Sequence, residues 1–289
     1  AGIEKGGNVN DTLKIYIPHM GYAREFDWHK YNIYDLGFWH NQPFSSKRIA
    51  ASETGTWTTK EYLPMGCLIN EDANTSIMWQ IESNASWNWE ISDICDVVYL
   101  KLSGPSENEN GWWKNLKPNE TFVTVNTAIV FSDGNFNASI EELTKYRRTI
   151  KRKHRADAYL PVIFNDYLNC LKADPTTEKL LPIIDRAAEA GAEYFCMDAG
   201  WYTEGAWWDA VGEWLPCKSR FPSGIEEVAD YVRSKGMVFG MWIEIEVMGT
   251  ECAIASEFED NCFFMRHGKR VVDHGRYQFD FRNEKVQKY

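Results

Sequence analysis

Residues 192–201 read AEYFCMDAGW, a short apolar run from Ala192 to Met197 closed by Asp198, Ala199, Gly200 and Trp201. A run of this length bounded by a carboxylate and a glycine fits a strand buried within a parallel sheet. Two further apolar runs flank it, Tyr159 to Asn165 on one side and Met237 to Val247 on the other. The intervening stretches, Thr177 to Ala190 and Ser223 to Lys235, carry helical spacing, so the order is β-α-β-α-β. In the second helix Ser223 and Glu226 have the spacing of a capping box, Ile225, Val228, Ala229 and Val232 share a face, and Gly236 stands at the C-terminal cap. In the first, Pro182 removes an amide donor, which implies either a kink or a later start than Asp174-Pro175 suggests. Periodicity does not separate a doubly wound sheet from a barrel, but both place function at the carboxyl ends of the strands.

Upstream the texture differs. From about residue 11 to 135 short apolar or alternating runs are broken by polar turns: Met65 to Asn70, Thr75 to Glu82, Trp87 to Ile91, Val97 to Leu102 and Phe122 to Phe131. That spacing predicts a β-sandwich. Ser139 with Glu142 reads as a second capping box, followed by an apolar stripe of Ile140, Leu143 and Ile150, so a connecting helix is expected from about 140 into the basic stretch Arg147 to Arg155. The expected domains are a sandwich over 1–137, a linker helix over 138–157 and an α/β unit over 158–289.

The bulk composition narrows the partners. At 44% hydrophobic and 25% charged the chain has the composition of a globular protein, and its net charge of −11 argues against a nucleic-acid partner, which needs clustered Lys and Arg. No apolar run reaches membrane-spanning length, so no membrane partner is expected. The 7 Cys are scattered without C-x-x-C or Cys/His ligand spacing, which suggests neither a disulfide framework nor a metal site and favours free thiols in a reducing cytoplasm. Secretion stays open, with sequons at Asn84 and Asn119 and a leader that processing would remove. The 13 Trp point either to core packing or to sugar binding, since sugar rings present C–H faces that stack on indole.

The three strand ends carry the candidate chemistry: Asn165-Asp166-Tyr167, Asp198-Ala199-Gly200-Trp201, and Trp242, Glu244 and Glu246. A carboxylate closing a buried strand is costly unless it binds something. Asp198 would either hold a ligand, with Gly200 allowing close approach and Trp201 offering a stacking face, or cap amides of the following loop. Gly240, Trp242, Glu244 and Glu246 share parity, so a regular strand directs all four to one side. The alternative is that Arg or Lys side chains on neighbouring strands pair with the two acids.

The runs PVIFNDYLNC (161–170), AGAEYFCMDAGWY (190–202), VGEWLPCKSRFPSGIEEVADYVRSKGMVFGMWIEIEVM (211–248) and YQFDFRNEKVQKY (277–289) together resemble the barrel of glycoside hydrolase family 36, the bacterial α-galactosidases and their α-N-acetylgalactosaminidase and raffinose-synthase relatives. GWWKNLKPNETF (111–122) and the run Leu143 to Arg148 resemble that family's front domain. The resemblance implies a multidomain β plus α/β fold: an N-terminal, supersandwich-like β-sandwich followed by the first three βα units of a (β/α)8 TIM barrel. It places the family's Asp-Asp-Gly-Trp motif on Asp198, Ala199, Gly200 and Trp201, with Asp198 holding the O4 and O6 hydroxyls of galactose and Ala199 departing from the second Asp. Tyr167 stands where the family has the Trp of Asn-x-Trp. Trp242, Glu244 and Glu246 match Trp-x-Glu-Pro-Glu with Ile245 in place of Pro, and Gly212-Glu213-Trp214 resembles its Gly-Asp-Trp.

The implied activity is retaining cleavage of terminal α-D-galactosidic bonds in oligosaccharides, without cofactor or metal. The family's nucleophile and acid/base, Asp residues of the fourth and sixth barrel strands, have no counterpart in these 289 residues, so the chain alone is expected to be inert. The expected ligand is an α-galactoside or related sugar. An incomplete barrel with open edges is expected to form a homo-oligomer. Two other functions fit the same residues: α-N-acetylgalactosaminide hydrolysis, and a non-catalytic carbohydrate-binding or assembly module.

Overall fold

The computed structural model describes residues 2–4, 12–38, 47–53, 57–94 and 97–289. They form two compact units, Ala1–Arg152 and Lys153–Tyr289.

The first unit is a sandwich of two antiparallel sheets. Its strands are β1 (Gly2–Glu4), β2 (Leu13–His19), β3 (Asp27–Asn32), β4 (Arg48–Ser52), β5 (Met65–Asn70), β6 (Thr75–Glu82), β7 (Asn88–Ile94), β8 (Val97–Ser103) and β9 (Asn126–Asp133). One sheet has the order β3-β2-β5-β6-β9 and the other β1-β8-β7-β4. Alternation along the strands decides which side chains fill the space between them. Leu13, Ile15 and Ile17 of β2, Leu68 of β5 and Trp79 and Ile81 of β6 meet Trp89 and Ile91 of β7 and Val98 of β8. Trp79 and Trp89 cross edge to face with ring centroids 5.4 Å apart, and the Trp79 ring lies over Gly66, where a Cβ would stand 2.4 Å from it. Part of the Trp excess is therefore core: Trp79, Trp87 and Trp89 are all fully buried.

The other face of the five-stranded sheet, Met65, Cys67, Ile69 and Met78, is covered by the helix Phe136–Ile150 through Phe136, Ile140 and Leu143. This helix starts earlier than the Ser139/Glu142 spacing predicts. Its N-cap is Asn135, whose side-chain oxygen accepts the Asn137 amide at 3.0 Å, while Ser139 is buried with its hydroxyl 2.7 Å from that of Ser76. Of the expected strands, Phe122 to Phe131 begins only at Asn126. The strand DWHKYN (β3) carries no apolar signature because it is a half-exposed edge strand.

The second unit is built on three parallel strands in the order β10 (Ile163–Asn165), β11 (Tyr194–Met197) and β12 (Val238–Met241). The helices Thr177–Glu189 and Glu226–Ser234 share one core with the strands: Leu180, Ile184, Ala187, Phe195, Met197, Val228 and Val232. Both crossovers lie on the same face and the strand order follows the chain. The opening of a (β/α)8 barrel is wound this way, and so is one βαβαβ half of a doubly wound sheet. The opposite face is open, with Ile163 and Val238 exposed.

The helix starts at Thr177 with Thr176 as its N-cap, later than Asp174-Pro175 suggests, and Pro182 sits inside it without ending it. The Ser223/Glu226 capping box does not form either. Ile225 takes the N-cap position, with its hydrocarbon side chain buried in the core and no polar atom to cap the helix. After Glu246 a small antiparallel sheet follows, β13 (Val247–Gly249) pairing β17 (Arg276–Gln278), which pairs β16 (Val272–Asp273). A hairpin of β14 (Met265–Arg266) and β15 (Lys269–Arg270) lies beside them in sequence.

The cap assignment on the Phe136–Ile150 helix is testable by equilibrium urea unfolding. Asn135→Ala is expected to cost about 1 kcal/mol and Glu142→Ala less than about 0.5 kcal/mol. The reverse order would restore the capping box read from the sequence.

Candidate functional site

Strand β10 ends at Asn165 and its ladder is continued by side chains. The Asp166 amide donates to the Cys196 carbonyl at 3.3 Å. The chain then turns away, the Asp166 carbonyl accepting from Leu171, and the Asp166 side chain takes over: its Oδ1 accepts the Asp198 amide at 2.7 Å. The Asn165 Nδ2 donates to Asp198 Oδ2 at 2.7 Å, and the Ala199 amide donates to Asp198 Oδ1 at 2.7 Å. Asp198 is thereby half-exposed at the carboxyl end of the central strand, with each carboxylate oxygen held by one donor and retaining lone-pair capacity for another. The capping reading of Asp198 is realised at the Ala199 amide, and the same carboxylate stays partly exposed at the end of the strand.

Gly200 has a different reason from ligand approach. Its φ is +94° and a Cβ there would stand 2.1 Å from the carbonyl oxygen of Ala173, so the chain's own 172–174 turn occupies that space.

The aromatic residues form a network of mostly edge-to-face contacts. Trp207 meets Tyr167 at 5.8 Å, Trp242 at 5.5 Å and Trp208 at 5.1 Å between centroids, and Trp214 meets Trp242, Trp201 and Tyr202. Trp201 is only 2% exposed, and its indole N–H donates to the Trp242 carbonyl at 3.1 Å. It supports the mouth from below and presents no open stacking face. Tyr167, Trp207 and Trp242 remain partly exposed.

The acids of the third strand separate. β12 stops at Met241, with the Trp242 amide still donating to Met197, and residues 242–246 leave the sheet, so the shared parity of Gly240, Trp242, Glu244 and Glu246 does not direct them together. Glu244 forms an ion pair with Arg276 of β17, the arginine partner that the structural alternative requires. Burial raises the Glu244 carboxyl against the pull of that guanidinium. Glu246 is exposed. Sequence reasoning missed Arg276, which is 3% exposed and stacks its guanidinium 3.8 Å above Trp208, and Tyr202, whose hydroxyl donates to the Trp207 carbonyl. Neither lies in a motif, and Arg276 is 32 residues from its acid.

Asp166 carries no sequence signal of its own beyond its place after the first strand. It is 2% exposed, and its Oδ2 has no hydrogen-bond partner among the described residues. Burial, opposed by the Asp198 amide and reinforced by the Asp198 charge, pushes its carboxyl up to about 6. Among the described residues no group of His, Cys, Asp and Glu has the arrangement of a metal site. A groove of about 560 Å³ on the first unit is lined by Leu63, Met65, Gln80, Glu82 and Arg147, but those polar groups already bond to one another: Arg147 to Gln80 and Gln80 to Glu82.

The raised Asp166 carboxyl has a pH signature. The native state binds this proton more tightly than the unfolded chain, whose Asp titrates near 3.9. Its contribution is therefore fully favourable below about pH 4 and is lost as pH rises through about 6. The ionised group then costs on the order of 3 kcal/mol. Urea midpoints should show Asp166→Asn gaining on the parent by roughly that amount between pH 4 and pH 7.5. A pH-independent difference would contradict the burial of this carboxyl.

With this geometry in place, the relatives can be compared. The model of the melibiase family matches residues 121–289. The α-galactosidase Mel36A of Lactobacillus acidophilus is 30% identical over 178 residues, 60% of this chain and 24% of that protein, and the α-galactosidase AgaA of Geobacillus stearothermophilus is 27% identical over the same length, 60% of this chain and 24% of that one. The chain thus spans about a quarter of the length of these curated relatives. The fold also matches solved structures. The crystal structure of AgaA, a family 36 glycoside hydrolase, superposes with a TM-score of 0.78 at 20% identity, covering 97% of this chain and 38% of that one. A variant of AgaA in complex with raffinose gives 0.79 at 20% identity, covering 100% and 39%. The galactosidase domain of the α-galactosidase–sucrose kinase AgaSK gives 0.80 at 19% identity, covering 97% and 38%. A front sandwich followed by the opening strands of a barrel is shared with all three, and the matched family model spans more than half of the sequence: the chain belongs to the melibiase family.

Proposed function

We propose that the enzyme to which these residues contribute hydrolyses terminal α-galactosides with retention, and that this chain supplies the part of the site that holds the galactose ring. The observation that carries the proposal is Asp198, an oriented, half-exposed carboxylate at the carboxyl end of the central parallel strand, beside the partly exposed Trp242, Trp207 and Tyr167. A sugar ring needs both kinds of contact: charged acceptors for hydroxyls and a flat apolar surface for its C–H face. The printed names of the relatives, α-galactosidases, and the raffinose in one related structure support the same substrate class.

The proposed roles are distinct. Asp198 accepts hydrogen bonds from O4 and O6, Trp242 and Tyr167 line the ring, and Trp201 supports them from the buried side. Glu244 acts through Arg276, which it neutralises and holds against Trp208. Retaining hydrolysis further requires two carboxyl groups about 5–5.5 Å apart, one attacking the anomeric carbon and one protonating the departing oxygen. That pair is assigned to later strands of the barrel, so the 289 residues alone would bind without turnover.

Ala199 favours keeping α-N-acetylgalactosaminide as a second substrate. The family pattern has a carboxylate at this position, whereas here the methyl group is 1% exposed and adds no acceptor to the mouth.

Steady-state kinetics of the complete enzyme on aryl α-galactoside and aryl α-N-acetylgalactosaminide test the assignment. Turnover of the galactoside is expected, with Asp198→Ala lowering kcat/KM by about 100-fold, the size of a lost hydrogen bond to a charged group. Activity on neither glycoside, or full activity in Asp198→Ala, would refute it.

A further inference from the structure

We propose that Asp166 is a positioning residue of the sugar site: its carboxyl sets the backbone direction of Asp198, and through it the direction in which the Asp198 carboxylate meets a sugar hydroxyl. The proposal rests on the reading of Asp198 as the group that holds the sugar.

Three bonds orient Asp198. Two act on its carboxylate, from Asn165 Nδ2 to Oδ2 and from the Ala199 amide to Oδ1, and one acts on its backbone, the 2.7 Å bond from its amide to Asp166 Oδ1. Asn165 is itself tethered, its Oδ1 accepting the Tyr167 amide at 2.9 Å. Two consecutive residues at the end of β10 thus clamp the residue that follows β11, Asn165 holding its side chain and Asp166 its main chain. The Asp198 amide lies one step beyond the last ladder residue, Met197, where the Asp166 carbonyl has turned towards Leu171.

A carboxyl kept only for stability would be expected to have both oxygens satisfied. Asp166 has one, and its Oδ2 is buried without a partner among the described residues, an arrangement that costs free energy and is typical of sites selected for something other than stability. An aliphatic residue of similar volume would pack in the same place but would leave the Asp198 amide unheld. The titratable groups facing Asp166 are Asp198 at the end of β11, Cys196 within β11 and Cys170 in the turn after β10. Both thiols are raised by burial and by these carboxylates, so they stay neutral over the range in which Asp166 ionises. A titration of the Asp198 amide that disappears in Asp166→Asn is therefore the signature of Asp166 and not of either thiol.

The ¹⁵N-labelled chain provides the test. In the parent, the Asp198 amide proton should titrate with a midpoint near 6, and in Asp166→Asn, which keeps an oxygen acceptor, that titration should vanish. Galactose binding, followed by chemical-shift perturbation, should weaken about tenfold or more in Asp166→Leu and by less than about threefold in Asp166→Asn, since only the former loses the oriented bond. An Asp198 amide that does not titrate in the parent would overturn the proposal without any variant needing to fold. Undiminished galactose affinity in a folded Asp166→Leu would do the same. Failure of the underlying sugar reading shows separately, as galactose affinity that Asp198→Ala leaves unchanged while the Asp198 amide of the parent still titrates, and it too would end the positioning role.

Discussion

A parallel strand that ends inside a protein leaves amides without opposing carbonyls, and the site described above is a solution to that problem. At the end of β11 the Asp198 amide is taken by the Asp166 carboxyl, and the Asp198 carboxylate is gripped by Asn165 and Ala199. Removing these side-chain bonds would leave the ends of β10 and β11 joined only by their short ladder, three residues long on β10. The position of the carboxylate thus follows from hydrogen-bond satisfaction at the strand end, and the sugar proposed to bind there would meet a group whose orientation is already determined. Preorganisation of this kind is what makes a charged acceptor selective.

The packing behind the strands allows it. Phe195 and Met197 point to the helices and are fully buried among Leu180, Ile184, Val228 and Val232, which fixes the sheet from one side only. Residues of the other parity, Tyr194 and Cys196, stay partly open, and the ends of the strands lie at the edge of the packed region. Around that edge the aromatic network from Tyr167 through Trp207 to Trp242 and Trp214 provides several edge-to-face contacts, each contributing roughly 0.5–1.5 kcal/mol beyond burial. Rigid rings rather than flexible chains therefore gather in the segments that follow the strands.

How legible this was depends on the range of the interaction. The β-α-β-α-β order, the sandwich strands β5 and β6 and the place of Asp198 at the end of a buried strand were readable, because apolar runs and helical spacing are local properties. The errors are equally specific. Both capping boxes failed because a better-placed residue won, Asn135 by its position and Ile225 by burying its side chain. The alignment of Trp242, Glu244 and Glu246 failed because β12 stops at Met241, and nothing in the apolar run Met237 to Val247 marks that stop. Glu244 finds Arg276 across 32 residues, and Asp166 differs from a surface aspartate only in burial; neither fact has a local signal in the sequence. The excess of Trp had two causes at once, core in Trp79, Trp87, Trp89 and Trp201, and the mouth of the sheet in Trp207 and Trp242.

The claim on which the account stands is spatial: a galactose ring is held at the carboxyl end of β11 by the Asp198 carboxylate. Crystals of the protein soaked with galactose measure this directly. The account predicts electron density for one ring with a hydroxyl oxygen within about 3 Å of an Asp198 carboxylate oxygen and its apolar face towards Trp242. A ring bound on the sandwich, or at the strand ends but out of reach of Asp198, would contradict it.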